Sequence, residues 1–302
     1  MNKKFDITDE KKIVALSDGT ERTVYRIKAL RNFDFLEAGQ PGGWIEKESN
    51  LSHKGNCFVL DNAVVCDDAK VRDNAVIKDY AVIMNTAEIE GNASIMDRAI
   101  VRDRAVVKNY AIVKDEALVS ENSIIEDRAT VKGSSFITAN ARISGSCVVM
   151  DDAVVKDDSI VRDKSVIMGN AKIAGKSIVQ DMVQISENAQ VKDNAWIKGN
   201  TVIKGNTIVG GDVVLKGNNE ITEEETVIDS QLFVDIKEKI GARVAKIRNN
   251  KGISTRQLAE KSGVSFANIG KLERGTYNIS IEILDRICEQ LGLEIQLVEI
   301  EK

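Results

Sequence analysis

At 302 residues, with a formal net charge of −5 and 43% hydrophobic residues, the chain is long enough for two folded domains. Aromatic residues make up only 4%, too few for an ordinary large globular core, and no apolar run approaches the ~20 residues of a membrane span. No signal peptide opens the chain, so a cytoplasmic protein is expected. Its four cysteines (Cys57, Cys66, Cys147, Cys288) lack any CxxC spacing, which argues against a disulfide framework or a zinc site.

The first predicted element is a β-hairpin. Residues 12–16 and 22–27 flank Ser17-Asp18-Gly19-Thr20, a turn-forming group between two strand-like runs. Residues 1–55 form this hairpin and a cap on the repeat array that begins at Asn56. A cap has a physical purpose, because an open sheet edge exposes unpaired backbone and invites polymerisation.

Residues 56–217 keep a six-residue register without one insertion or deletion, as 27 consecutive hexads from NCFVLD and NAVVCD to NTIVGG and DVVLKG. The fourth position is always Val, Ile or Leu, the second is small or short, and the sixth is nearly always Asp, Asn or Gly. A helix would need apolar residues at i, i+3, i+4 and i+7, which the array never shows. Alternation over four residues and then a polar corner reads as a short strand and a turn. Ala63 and Val65 are expected to point inward, with Val64 and Cys66 outward. Three sides close an 18-residue triangular coil, so the array predicts about nine coils and a prism roughly 40 Å long. Cys57 and Cys147 fall at the small inward position, where a thiol acts as a compact hydrophobe.

The pattern of an aliphatic, three variable residues, a small residue and a variable residue resembles the hexapeptide repeat of left-handed β-helix proteins. That resemblance implies the left hand. One departure is that Lys, Arg or Met (Arg72, Lys78, Met84) often follows the aliphatic, where the family often has Gly. The lead-in GGWIEKESNLSHKGNCFVLDNA is similar to the β-helix entry of YdcK-like hexapeptide proteins, also common in phage-type genomes, which implies the hairpin cap.

The register stops at Gly217, and residues 218–231 (NNEITEEETVIDS and Gln231), with Glu220, Glu223, Glu224 and Glu225, read as an acidic linker. From residue 232 the spacing turns helical: Ile236, Ile240, Val244 and Ile247 recur every three to four residues. The stretch ISTRQLAEKSGVSFANIGKLERGTYNISIEILDRICEQLGLEI then gives a sequence of stops and starts. Ser254 caps a short helix with Gln257 at its third position, as in a capping box. Gly263 ends it in the left-handed conformation. Ser265 caps the next helix, and Ser280 a fourth. The whole resembles a Cro/repressor-type (XRE-like) helix-turn-helix domain over 232–302. The fold class expected is therefore mainly β, a capped parallel β-helix followed by a small all-α domain that ends in a strand.

In that family the third helix enters the major groove of double-stranded DNA, the implied partner. Carried over by position, Phe266, Ala267, Asn268 and Lys271 are candidate base readers, and Arg256, Gln257, Arg274 and Asn278 candidate phosphate contacts. Charge agrees, since residues 237–274 hold ten Lys/Arg against three Asp/Glu, while residues 1–231 hold 30 against 37. The terminal stretch LEIQLVEIE alternates apolar and charged residues. Leu293, Ile295, Leu297 and Ile300 are candidates for pairing across a homodimer, which suits two half-sites, although the alternation slips at Val298.

The hexapeptide resemblance also implies a rival, since many such proteins are trimeric acyltransferases with a catalytic His at a cleft between prisms. The single histidine, His53, precedes the first full hexad, where Leu51 and His53 stand in place of the small and aliphatic residues. It is expected to be a cap residue hydrogen-bonded at the coil end. The recurring aspartates (Asp67, Asp73, Asp79, Asp151, Asp157, Asp163) are read as turn residues. A phage or mobile-element decoy that presents stacked carboxylates is a further alternative, opposed by the cations beside them (Arg72, Lys78, Arg102, Lys108, Lys114). No catalytic residue, cofactor or metal is expected. A transcription regulator with a β-helix scaffold, oligomerisation or sensing body is the primary reading.

Overall fold

The computed structural model describes residues 3–16, 19–222, 226–227, 236–277 and 279–295, and of 236–238 the backbone alone. The chain divides into two compact units, Met1–Ser230 and Gln231–Lys302.

The first unit is a parallel β-solenoid of about ten turns. Each hexad supplies one two-residue strand made of its third and fourth positions, such as Val64–Val65, Val82–Ile83 and Ile100–Val101. Each strand pairs in parallel with the strand 18 residues on, so Ile100 faces Leu118 and Val106 faces Ile124. Three sheets result, of 13, 10 and 9 strands. The fourth-position aliphatics are fully buried along the axis, among them Val107, Ile125 and Ile143, which stack in consecutive turns. Burying each such side chain contributes roughly 1.5–3 kcal/mol.

The corners explain the recurring aspartates. Asp73, Asp115 and Asp157 have φ of 57°, 61° and 61°, in the left-handed region that Asp and Asn tolerate better than most residues. Each carboxylate accepts the backbone N–H of the equivalent corner one turn on: Gly91 to Asp73 at 3.0 Å, Gly133 to Asp115 at 3.0 Å, Gly175 to Asp157 at 2.9 Å. The acids are thus part of the turn chemistry.

The expected hairpin is present and longer than its sequence signal. Strands β1 (Phe5–Ala15) and β2 (Glu21–Ala29) pair antiparallel, with an irregularity between Ile7 and Lys11. Strand β3 (Pro41–Ile45) pairs antiparallel with β2 and parallel with Val64–Val65, which joins the hairpin to the largest sheet. Here Gly42 and Gly43 are required: a Cβ would lie 2.6 Å from the Phe58 ring in one case and 2.7 Å from Val59 in the other.

One expectation is extended and two are corrected. Val64 and Cys66 do project outward from the coil, yet both are buried, because Leu16 and Val24 of the hairpin pack over them with Trp44 and Met84. His53 does not take an aliphatic position. Leu51 fills it and bridges to Val71, twenty residues on instead of eighteen, so residues 52–55 bulge from the register. The register also runs past Gly217 into the segment read as a linker. Glu220–Ile221 pairs with Val202–Ile203, and Thr226–Val227 with Ile208–Val209, with Ile221 and Val227 buried. Asn219 takes the small inward position there, and its amide donates to Thr201 Oγ1 and the Lys216 carbonyl. These additions lengthen the nine expected coils to about ten.

Candidate nucleic-acid interface

The second unit consists of four helices among its described residues: α1 (Ile236–Asn250), α2 (Thr255–Ser262), α3 (Phe266–Glu273) and α4 (Ile281–Gln290). Their boundaries follow the sequence signals. Ser254 Oγ accepts the Gln257 N–H at 3.2 Å while Gln257 Oε1 accepts the Ser254 N–H at 2.8 Å, a complete capping box. Gly263 ends α2 at φ 67°. Ser265 Oγ accepts the Asn268 N–H at 3.3 Å, and Ser280 Oγ the Ile283 N–H at 3.4 Å.

Val244, Leu258, Val264, Ile269, Leu272, Ile287 and Leu291 form the core that holds α3 in place. Gly241 lets α1 lie backbone-close to α3, since a Cβ there would collide with the Leu272 carbonyl. Arg248 crosses from α1 to hold the same C-terminal end of α3, with Nε and Nη2 donating to the two Glu273 oxygens at 2.5 and 3.0 Å. Hydrogen bonding to Glu273 raises the Arg248 pKa further above its ordinary value.

With Ile269 and Leu272 buried, α3 turns Phe266, Ala267 and Lys271 to solvent, and Arg274 is exposed at its C-cap. Phe266 is 55% exposed. Arg256 of α2 stands over it, with the guanidinium carbon 5.7 Å from the ring centroid. Arg274 lies across Gly270, where a Cβ would be 3.4 Å from Nη1. The candidate readers and two candidate phosphate contacts therefore share one face, basic at the edges and apolar at the N-terminal end of α3.

Three expectations are modified. Asn268 is half-buried, and its amide donates to the Tyr277 hydroxyl at 3.2 Å. Gln257 commits its carbonyl oxygen to the cap, which leaves its amide nitrogen as the donating end. Leu293 packs against the helical core, whereas Ile295 is 41% exposed. Asn278, Leu297 and Ile300 lie outside the described residues, as does the expected terminal strand beyond Ile295, whose first residues, 293–295, are not in a strand. Sequence reasoning passed over Tyr277, whose only signal is its place one residue before Asn278.

In the solenoid, His53 sits at the coil end as expected. Its Nδ1 accepts the Lys4 N–H at 3.4 Å, its Nε2 lies 3.0 Å from Glu48 Oε1, and its ring stacks on Phe5. The His53 hydrogen bond and Lys3 hold the Glu48 carboxyl below its ordinary value. The neighbouring Lys4 is buried, and its ammonium donates to the Cys57 carbonyl at 2.5 Å and Sγ at 3.0 Å. Glu46, Cys66 and Asp67 bring potential ligand atoms within 4.8 Å of one another. Their carboxylates are already engaged, Glu46 by the Asp67 N–H and Asp67 by Arg22 and the Asn85 N–H.

The fold and this face define a helix-turn-helix unit carried on a hexapeptide-type parallel β-solenoid. A family model described as Helix-turn-helix matches residues 244–298. The control protein C.SmaI of Serratia marcescens is 35% identical over 63 residues, 21% of this chain and 75% of that protein. Through this unit the chain belongs to the XRE-type helix-turn-helix family. The immunity repressor protein of Bacillus phage phi105 is 30% identical over 59 residues, 20% of this chain and 41% of the repressor. A 62-residue stretch is 34% identical to the uncharacterized acetyltransferase YdcK of Escherichia coli (strain K12), 20% of this chain and 19% of that protein. The chain thus spans less than half the length of the repressor and about a fifth of YdcK. Among the described residues no helix is long and apolar enough to cross a membrane.

Proposed function

We propose that the protein is a DNA-binding transcription regulator whose head is the helix-turn-helix unit and whose solenoid body is a non-enzymatic scaffold, oligomerisation or sensing element. The observation that carries this reading is the exposed face of α3, where Phe266, Ala267 and Lys271 lie between Arg256 and Arg274. A helix so displayed fits the major groove, with basic residues on the flanking phosphates. The excess of cations over residues 237–274 supports the same reading. Such a protein works where the DNA is, in the cytoplasm. Self-association through the C-terminal segment, in which Ile295 stays exposed, would present two α3 helices to two half-sites. Fluorescence anisotropy with duplex DNA at several salt concentrations tests the reading. Binding that weakens steeply with salt is expected, and no binding at low salt would refute it.

The similarity to YdcK keeps acyl transfer as the rival. Both ring nitrogens of His53 are engaged by structural partners, which favours the non-enzymatic reading. A thermal-shift series with acyl-coenzyme A compounds separates the two, because a substrate-binding prism would be stabilised by saturating ligand.

A further inference from the structure

The leading end of α3 offers little polar readout of its own. Its first two residues, Phe266 and Ala267, carry no hydrogen-bonding side chain, and the third, Asn268, already gives an amide hydrogen to Tyr277. The N-terminal end of a recognition helix is nevertheless the part that meets base edges. Arg256 stands beside it. Among the described residues its one side-chain partner is the Phe266 ring, and no carboxylate claims its guanidinium.

We infer that Arg256 reads a guanine base edge, with Phe266 serving both as its stacking platform and as the apolar contact for a neighbouring thymine methyl. The inference rests on the DNA-binding reading above. It moves Arg256 from the phosphate contacts, where the sequence placed it, to the specificity-determining residues. A guanidinium lying over an aromatic face presents a planar fork of donors, and that fork matches the O6 and N7 acceptors of guanine in the major groove. The 55% exposure of Phe266 leaves part of its ring for a methyl group. Lysine is the informative replacement. It keeps the charge that a phosphate needs but has neither the fork nor the planar stack.

The test is selection of bound duplexes from a random-sequence library by the full chain, followed by anisotropy on the selected duplex and on random DNA. The wild type, Arg256→Lys, Arg256→Ala and Phe266→Ala would be compared, each first shown to retain its helical circular dichroism. The expected result is a selected motif with a thymine beside a guanine, in which Arg256→Lys lowers the preference for guanine by about tenfold or more. Its affinity for random DNA and its salt slope should stay within about twofold. Phe266→Ala should weaken the same guanine preference and abolish the thymine preference. A motif unchanged by Arg256→Lys, with Arg256→Ala weakening all sequences alike, would return Arg256 to the phosphate contacts and overturn the inference alone. A wild-type chain that binds no duplex would overturn the DNA-binding reading and the inference with it.

Discussion

Arg248, in the last turn of α1, holds Glu273, the final residue of α3, by paired hydrogen bonds of 2.5 and 3.0 Å, and its Nη1 donates to the Ile253 carbonyl at 2.8 Å. The two side chains are only 10% and 15% exposed. The pair therefore fixes the C-terminal end of the reading helix against α1. Removing Glu273 leaves a desolvated guanidinium without its counter-charge, at a cost of about 3–5 kcal/mol. That is a large part of the roughly 5–15 kcal/mol that holds a whole domain folded. Glu273→Ala should lower the melting temperature of the helical unit and leave the solenoid intact. Ellipticity at 222 nm reports the first, because the described α-helices all lie from residue 236 onward.

The thiols set an alkaline limit on the solenoid. Burial pushes the Cys147 thiol from an ordinary 9.0 up to about 12, and burial raises Cys57 in the same direction. Up to about pH 9 both folded and unfolded chains keep the Cys147 proton. Above that the unfolded chain loses it while the folded chain does not, so stability falls as pH rises towards about 12. Urea midpoints measured at about pH 8 and about pH 10.5 should therefore drop more for the wild type than for Cys147→Ala. Equal drops would assign the alkaline loss to other groups.

Ala139 has φ 59° at a corner where most turns use Asp, Asn or Gly. An alanine incurs a steric penalty there that glycine does not, about 1 kcal/mol. Ala139→Gly should therefore stabilise the solenoid by roughly that amount in chemical denaturation, an unusual direction for a substitution to glycine. A loss of stability would mean that the Ala139 methyl is needed for packing.

How far the sequence carried depended on whether a contact was local. The aliphatic at every fourth position and the small residue at every second placed the solenoid, since period and burial are the same fact in a stacked coil. The ends were not legible. Leu51 takes its place opposite Val71 only because residues 52–55 leave the register, and local pattern does not tell which of two candidates will do so. The array was read as ending at Gly217, yet Asn219 continues it, with Thr201 and the Lys216 carbonyl satisfying its amide inside the coil. The burial of the outward-pointing Cys66 was not legible because the hairpin that covers it lies some fifty residues earlier in the chain. In the helical unit, Phe266, Ala267 and Lys271 came from the family resemblance, and their exposure agrees with a helix that buries Ile269 and Leu272. The Asn268–Tyr277 bond and the Arg256–Phe266 stack depend on loop path and helix crossing, which no single-helix pattern contains.

Assembly should depend on the C-terminal segment. Ile295 is exposed, and the stretch after it continues with apolar residues. Deleting residues 294–302 is expected to leave the solenoid folded, convert a dimer to a monomer in light scattering, and lower DNA affinity. A mass near three chains that the deletion leaves unchanged would point instead to trimers through the prism.

The measurement that bears most directly on the account is the affinity of the full chain and of Lys271→Ala for a selected duplex and for random DNA under one salt condition. Lys271 is exposed on α3, one turn beyond Ala267, where it faces the groove if α3 is the reading helix. The account predicts that Lys271→Ala weakens the selected duplex by about 1–3 kcal/mol, roughly five- to 150-fold, and random DNA far less. A selected-to-random ratio that Lys271→Ala leaves unchanged would contradict the placement of α3 as the reading helix.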